Sequence, residues 1–263
     1  MKTAIIIPAR YGSTRFPGKP LAKIKGRELL LWVYESAMET AQTIPNVTVL
    51  VATEDHRIER FCVQHDLNCV MTSETCESGT DRAMEALHNS HLKPDFIVNL
   101  QGDLIAPPHF INALIETYKA DKKADIVTPV VQLDWTALDA LRQAKITTPF
   151  SGTTVAIDTD QYALWFSKNI IPAIRKEEKL RDLNPHSPIF RHIGMYGYSS
   201  EGLKKYVALP HAHYEQLEGL EQLRALENGM KIKCVAVEYG QFPAFPGIDS
   251  PEDLARAEKL FTK

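Results

Sequence analysis

Three cations and two carboxylates are the side chains in this sequence best placed to do chemistry. Arg10, Arg15 and Lys19 fall within Ala4-Ile5-Ile6-Ile7-Pro8-Ala9-Arg10-Tyr11-Gly12-Ser13-Thr14-Arg15-Phe16-Pro17-Gly18-Lys19-Pro20, where an apolar run passes directly into a cationic loop. Cations at that density can neutralise a nucleoside triphosphate, and Gly12, Ser13 and Gly18 are small enough to let a phosphate approach the backbone. Asp103, in Gln101-Gly102-Asp103, and Asp249, in Pro246-Gly247-Ile248-Asp249, are the carboxylates. Mg²⁺ prefers oxygen ligands and usually takes one or two carboxylates with phosphate oxygens and water, so the two aspartates form a candidate Mg²⁺ site. Each also has a plain structural reading, Asp103 in a turn and Asp249 in helix capping. Solvated surface would explain the loop's charges, but not why they follow a buried strand.

Spacing argues against two common phosphate-binding loops. Gly12 and Gly18 are separated by five residues, one more than a Walker A loop allows, and Pro20 stands where a Ser or Thr should follow the Lys. The first strand is also not followed by the glycine fingerprint of a dinucleotide-binding fold.

These residues need a scaffold that gathers them at one edge. The apolar run over residues 4–7, stopped by Pro8, reads as a central strand covered on both faces. Strands over residues 47–52, 68–71 and 95–100 alternate with helices over 29–41, 55–65, 80–87 and 108–119. That order predicts an α/β fold with a doubly wound, mainly parallel sheet, in which ligands bind at the carboxyl ends of strands. Beyond residue 125 the pattern changes. Strands are expected at 126–133, 153–157, 195–199 and 231–237, a helical turn at 161–167, a mobile loop at 172–187 and one continuous helix at 214–227. A last helix follows Ser250-Pro251-Glu252-Asp253, whose serine cap and proline are a start signal. The expected organisation is one domain over residues 1–263, with a smaller β-containing lobe over about 125–210.

With 263 residues, 44% hydrophobic and 24% charged, the chain can bury a sizeable core. A formal net charge of −3 provides no global basic field, which argues against a nucleic-acid partner. No apolar run reaches membrane-spanning length and no signal peptide is recognisable, so a cytoplasmic protein without membrane insertion is expected. Cys62, Cys69, Cys76 and Cys234 contain no C-x-x-C pair and read as reduced thiols. His88 with His91, and His211 with His213, lie in polar stretches without the context of a metal motif.

Six segments in order resemble one family. Residues 10–20, Glu77-Ser78-Gly79-Thr80-Asp81-Arg82, Gln101-Gly102-Asp103, Arg191-His192-Ile193-Gly194-Met195-Tyr196-Gly197-Tyr198, Glu221-Gln222-Leu223-Arg224 and Gly247-Ile248-Asp249 are similar to the signatures of 3-deoxy-manno-octulosonate (Kdo) cytidylyltransferases. The resemblance implies attack of the anomeric hydroxyl of a 2-ulosonate on the α-phosphorus of CTP, giving a CMP-sugar and pyrophosphate for lipopolysaccharide biosynthesis. It assigns Arg10, Arg15 and Lys19 to catalysis on the triphosphate and Asp103 and Asp249 to Mg²⁺. Ala9, Ser13, Ser78, Arg82 and Gln101 would line the nucleotide. Gln101, His192, Tyr196, Glu221 and Gln222 would line the sugar. It also implies a homodimer, with part of the region after Asp125 at the interface. Ser78 has the alternative role of a helix cap, and Glu221 and Gln222 that of helix surface.

The sequence departs from the family pattern in and near that pocket. Cys76 and Glu77 replace the usual His-Gln, Leu104 replaces the Glu after Gln-Gly-Asp, and Lys168 replaces an Arg after Ser167. Lys168 gives up the planar guanidinium fork, and Glu77 adds a carboxylate suited to a desolvated ammonium. A sugar with an 8-amino group is therefore slightly favoured over ordinary Kdo, with Glu77 its partner. A sialate-type cytidylyltransferase and a non-catalytic nucleotide-binding regulator are the remaining alternatives.

Overall fold

A computed structural model of the chain describes residues 1–12, 16–243, 247–248 and 250–260. Its elements run β1 (Thr3–Pro8), β2 (Lys23–Ile24), β3 (Arg27–Glu28), α1 (Leu29–Thr43), β4 (Val47–Thr53), α2 (His56–Gln64), β5 (Cys69–Met71), α3 (Gly79–Asn89), β6 (Phe96–Asn99) and α4 (Pro108–Ala120). They continue through β7 (Ile126–Asp134), α5 (Trp135–Thr147), β8 (Thr154–Ile157), β9 (Ala163–Ser167), α6 (Glu177–Leu183), β10 (His186–His192) and β11 (Tyr196–Ser199). The chain then forms α7 (Ser200–Val207), α8 (His213–Glu218), α9 (Glu221–Glu227), β12 (Ile232–Ala236) and α10 (Pro251–Leu260).

One large sheet runs β5-β4-β1-β6-β11-β7-β10-β8-β9, with β12 also paired to β7. The expected α/β architecture is present, and its parallel block is β5-β4-β1-β6. β11 pairs antiparallel with β6 and β7, and β10, β8 and β9 extend the sheet with antiparallel ladders. Burial explains the unbroken apolar run of β1, because its two faces meet different cores. Ile5 and Ile7 pack with Leu29, Val33, Phe110 and Leu114, while Ala4 and Ile6 pack with Ala83, Ala86, Leu203 and Tyr206. Among the described residues no helix is long and apolar enough to cross a membrane.

The structure corrects several expectations of local conformation. Residues 163–167 form strand β9, not a helical turn. The Asp158 carboxylate accepts the Asp160 and Tyr162 N–H groups at 2.9 and 2.7 Å, closing a hairpin that pairs Trp165 and Phe166 with Ala156 and Val155 of β8, and these aromatic residues suit a half-buried strand. The expected helix over 214–227 is two helices, α8 and α9, because Gly219 adopts φ 62° and ends the first with a left-handed cap. Within the expected mobile loop lies α6, which buries none of its residues and so shows no apolar period. Polar contacts hold it instead: Arg142 donates to both Glu177 oxygens at 2.8 and 2.7 Å, and Arg181 joins Asp139 at 2.7 Å. The unforeseen helices α5 and α7 start on side-chain caps, Asp134 accepting from Ala137 N–H and Ser199 from Gly202 N–H.

Candidate active site

The first site loop leaves the carboxyl end of β1. Ala9 is buried and its N–H donates to the Ala52 carbonyl at 2.8 Å, so Arg10 is the first side chain to emerge, and it is exposed. Its Nη1 donates to the Glu77 carbonyl at 3.3 Å. The returning end is fixed by the Gly18 N–H, which donates to the Tyr11 carbonyl at 2.9 Å. That turn delivers Lys19, whose Nζ lies 2.5 Å from Asp103 Oδ2. Arg15 and Ser13 lie outside the described residues, as does Asp249.

Asp103 reaches this loop because residue 102 is glycine. A Cβ at Gly102 would stand 2.6 Å from the Pro8 carbonyl oxygen, so the chain after β6 passes too close to β1 for a side chain. The Asp103 carbonyl accepts the Ile248 N–H at 3.1 Å, which brings the stretch preceding Asp249 against it. Among the described residues no group of three or more His, Cys, Asp or Glu side chains could hold a metal. The described donor set is thus a single half-buried carboxylate beside the cationic loop. That suits a hard cation completing its coordination with substrate oxygens rather than an all-protein cage.

A second polar group gathers beside the same strand end. Asn99, last residue of β6, is buried and donates from Nδ2 to Thr80 Oγ1 at 3.1 Å, and Thr80 donates to Glu221 Oε2 at 3.2 Å. Tyr196 stands opposite Asn99 across the β6–β11 ladder, and its hydroxyl donates to Gln222 Oε1 at 2.9 Å. Two buried atoms in this group, Asn99 Oδ1 and Gln222 Nε2, have no hydrogen-bond partner. A buried acceptor and a buried donor left open are costly unless a ligand or water completes them. Gln101 lies over Gly79, where a Cβ would come within 3.2 Å of its Oε1, and so stands between this group and Asp103.

The remaining expected site residues have defined surroundings. His192 is buried with Nε2 2.8 Å from Thr128 Oγ1, and Thr128 also lies 2.9 Å from the Met195 carbonyl. The threonine's single proton goes to that carbonyl, so His192 Nε2 donates and Nδ1 is left as an acceptor. Burial, with the nearby Lys168 charge, pushes the imidazole down to about 3, so it is neutral at physiological pH. Desolvation pushes the Glu221 carboxyl up to about 6, against the opposing Thr80 hydrogen bond and Arg224 charge.

Ser78 caps α3, accepting the Asp81 N–H at 3.0 Å while its own N–H and hydroxyl donate to Asp81 Oδ2. Arg82 is fully buried between Thr72 at 2.5 Å and Glu54 at 2.9 Å, with Nε and Nη2 unpartnered. Glu77 does not join the Asn99–Gln222 group. It lines a cleft of about 490 Å³ with Cys76, Asp81, Glu85, His211 and Arg224. Sequence reasoning missed Asn99, Thr80 and Thr128 as members of the site. For Asn99 and Thr128 the available signal was a polar residue inside an otherwise apolar strand.

Comparisons with known proteins give the family of the chain. A cytidylyltransferase family model matches residues 4–232. The chain is 40% identical over 262 residues to the 3-deoxy-manno-octulosonate cytidylyltransferase of Maricaulis maris, covering 99% of this chain and 97% of the relative. It is 39% identical over 261 residues to that of Desulfatibacillum aliphaticivorans, covering 99% and 98%. A solved CMP:2-keto-3-deoxy-manno-octonic acid synthetase complexed with CTP superposes with a TM-score of 0.84 at 34% identity, covering 99% of this chain and 98% of the other. The inositol-1-phosphate CTP transferase from T. maritima, at 17% identity and a TM-score of 0.59, shares the fold, covering 99% of this chain and 94% of its own. The chain therefore belongs to the cytidylyltransferase family, in its group of 3-deoxy-manno-octulosonate cytidylyltransferases.

Proposed function

We propose that this protein transfers CMP from CTP to the anomeric hydroxyl of a Kdo-type sugar and releases pyrophosphate. One observation carries the reading. The end of β6 and its loop present Asn99, Gln101 and Asp103 in order, with open buried polar atoms at one end and the Lys19–Asp103 pair at the other. A polyhydroxyl acid fits the first end and a triphosphate the second.

Arg10 and Lys19, with Arg15 by resemblance, neutralise the triphosphate and stabilise charge on the leaving pyrophosphate. Asn99 Oδ1, Gln222 Nε2 and the acceptor Nδ1 of His192 fix sugar hydroxyls and hold the attacking oxygen in place. Asp103 would hold Mg²⁺, with Asp249 as second ligand by resemblance. When bound, the ion would supply positive charge to the phosphate oxygens and lower the pKa of the attacking hydroxyl. Glu77 favours the 8-amino relative of Kdo, because it adds a carboxylate to a cleft already lined by Asp81 and Glu85. Four free thiols suit a reducing cytosol. Exposed Ile146, Phe150 and Leu183, at the end of α5 and on α6, support a homodimer through this region, which light scattering measures.

Pyrophosphate release from CTP and Mg²⁺ with each octulosonate tests the reading. Release with either sugar is expected, with the 8-amino sugar turned over more efficiently. Clear preference for the hydroxyl sugar would remove the Glu77 assignment, release with sialate instead would make the enzyme sialate-type, and no release with any ulosonate would leave a nucleotide-binding regulator.

A further inference from the structure

A chain of polar contacts links the nucleotide loop to the helix that carries Glu221 and Gln222. Arg10 donates to the Glu77 carbonyl, and Glu77 Oε2 lies 3.3 Å from His211 Nε2. His211 Nδ1 lies 2.9 Å from Arg224 Nη2. Arg224 is 8% exposed and sits one turn beyond Glu221 on α9, where it grips Glu215 through Nε–Oε2 at 2.8 Å and Nη2–Oε1 at 2.5 Å. Its guanidinium lies over the Tyr206 ring, and the Tyr206 hydroxyl donates to the Glu221 carbonyl at 3.1 Å. Arg224 is therefore built into the first turn of α9.

Hydrogen-bond chemistry sets the direction of the link. A guanidinium only donates, so His211 Nδ1 accepts from Arg224, and Nε2 carries the proton that Glu77 accepts. One tautomer serves both sides. The seam between the sides is not packed solid, since Glu77, His211 and Arg224 all line the cleft of about 490 Å³.

We infer that His211 is a positioning residue, tying the CTP loop to α9 so that nucleotide engagement at Arg10 favours the sugar-binding placement of Glu221 and Gln222. The inference rests on the reading of Arg10 as a nucleotide residue and Glu221 as a sugar residue. His211 and Glu77 are exposed, and a contact of that kind is worth a factor of about two to five.

The test is a matrix of initial rates over CTP and unmodified Kdo, on which Glu77 has no ammonium to pair. It compares the full chain with H211A, H211Q, E77A and the double variant E77A/H211A. His211→Ala is expected to raise the sugar KM at saturating CTP about threefold, with kcat within about twofold, and to weaken the dependence of sugar KM on CTP. Glu77→Ala should do the same and the double variant no more than either single one, because both break one link. His211→Gln should restore the wild-type values, since its amide can accept from Arg224 and donate to Glu77. Unchanged sugar KM in H211A, additive single effects, or failure of Gln to restore would each overturn the link while leaving the site reading intact. Absence of turnover by the unmodified chain would overturn the site reading and the link together.

Discussion

Replacing Gly102 by Ala probes the close passage on which the Lys19–Asp103 end of the site depends. The new Cβ would lie 2.6 Å from the Pro8 carbonyl oxygen, about 0.8 Å inside ordinary van der Waals contact. Both neighbours are backbone, at the end of β1 and in the loop after β6, so no flexible side chain can yield. Gly102 is not in the left-handed region, which leaves the clash as the cause of any effect. Overpacking of this kind costs about 1–3 kcal/mol, or roughly 2–4 °C in Tm for each kcal/mol in a chain of this size. Activity should fall further, because Asp103 is the next residue and a displacement of about 1 Å in a reacting geometry can cost on the order of 100-fold. Thermal denaturation and pyrophosphate release measure the two effects separately. Gly194→Ala is the control, since nothing lies within 4 Å of its added Cβ, and it should change stability by less than about 0.5 kcal/mol. G102A with wild-type Tm and rate would refute the argument that backbone proximity to Pro8 sets the position of Asp103.

Asp103→Asn should cut pyrophosphate release by at least about 100-fold while changing stability by less than about 1 kcal/mol, since the Lys19–Asp103 pair is part-exposed. A chelator should abolish wild-type release and added Mg²⁺ should restore it. Tyr196→Phe leaves Gln222 Oε1 without its donor in a buried setting, so urea unfolding should report a loss of about 1–3 kcal/mol and the sugar KM should rise more than kcat falls. Glu221 predicts a pH dependence with a definite sign. Burial holds its folded pKa at about 6, above the ordinary glutamate value of 4.5, so the folded state holds the proton more tightly and this residue's contribution to stability falls as pH rises from 4.5 to 6. Glu221→Gln should flatten that slope and be more stable at pH 7 by about 1–2 kcal/mol, which denaturation across the pH range measures.

The parallel half was legible because its signals are local. β1 is apolar on consecutive positions since both of its faces are covered, and the Pro107-Pro108 and Ser250-Pro251 starts precede helices where the sequence placed them. Beyond Asp125 local signals weaken. α6 is held by Arg142, Glu177 and Arg181 rather than by an apolar face, and ion pairs between separated segments leave no period in the sequence. The break between α8 and α9 rests on Gly219, a signal present in the sequence but overridden by the apolar spacing around it. For the site, the residue types in the motifs were visible, whereas burial was not. The Ser78 cap was readable from its place ahead of α3, but Arg82 became a buried guanidinium and Glu77 joined His211 across a cleft, because which face of a turn meets the core depends on elements far away in sequence.

The meeting of His192, Tyr196 and Asn99 depends on one irregularity. β10 and β11 both run antiparallel to β7, but the register slips between His192↔Val130 and Gly197↔Val127. In an uninterrupted strand, residues four apart would be separated by about 13 Å at ~3.3 Å per residue. Here the His192 and Tyr196 rings are 5.5 Å apart, centroid to centroid, because the chain between them bulges at Ile193–Gly194–Met195, with the Ile193 N–H on the Pro129 carbonyl and the Met195 N–H on the Ile193 carbonyl. The bulge also sets Tyr196 opposite Asn99, so a histidine from one ladder, a tyrosine from the next and the end of β6 meet at one edge of the sheet. A regular β10–β11 strand would carry the same residues and separate them. The Arg191 to Tyr198 signature is therefore as much a specification of backbone shape as of side-chain chemistry.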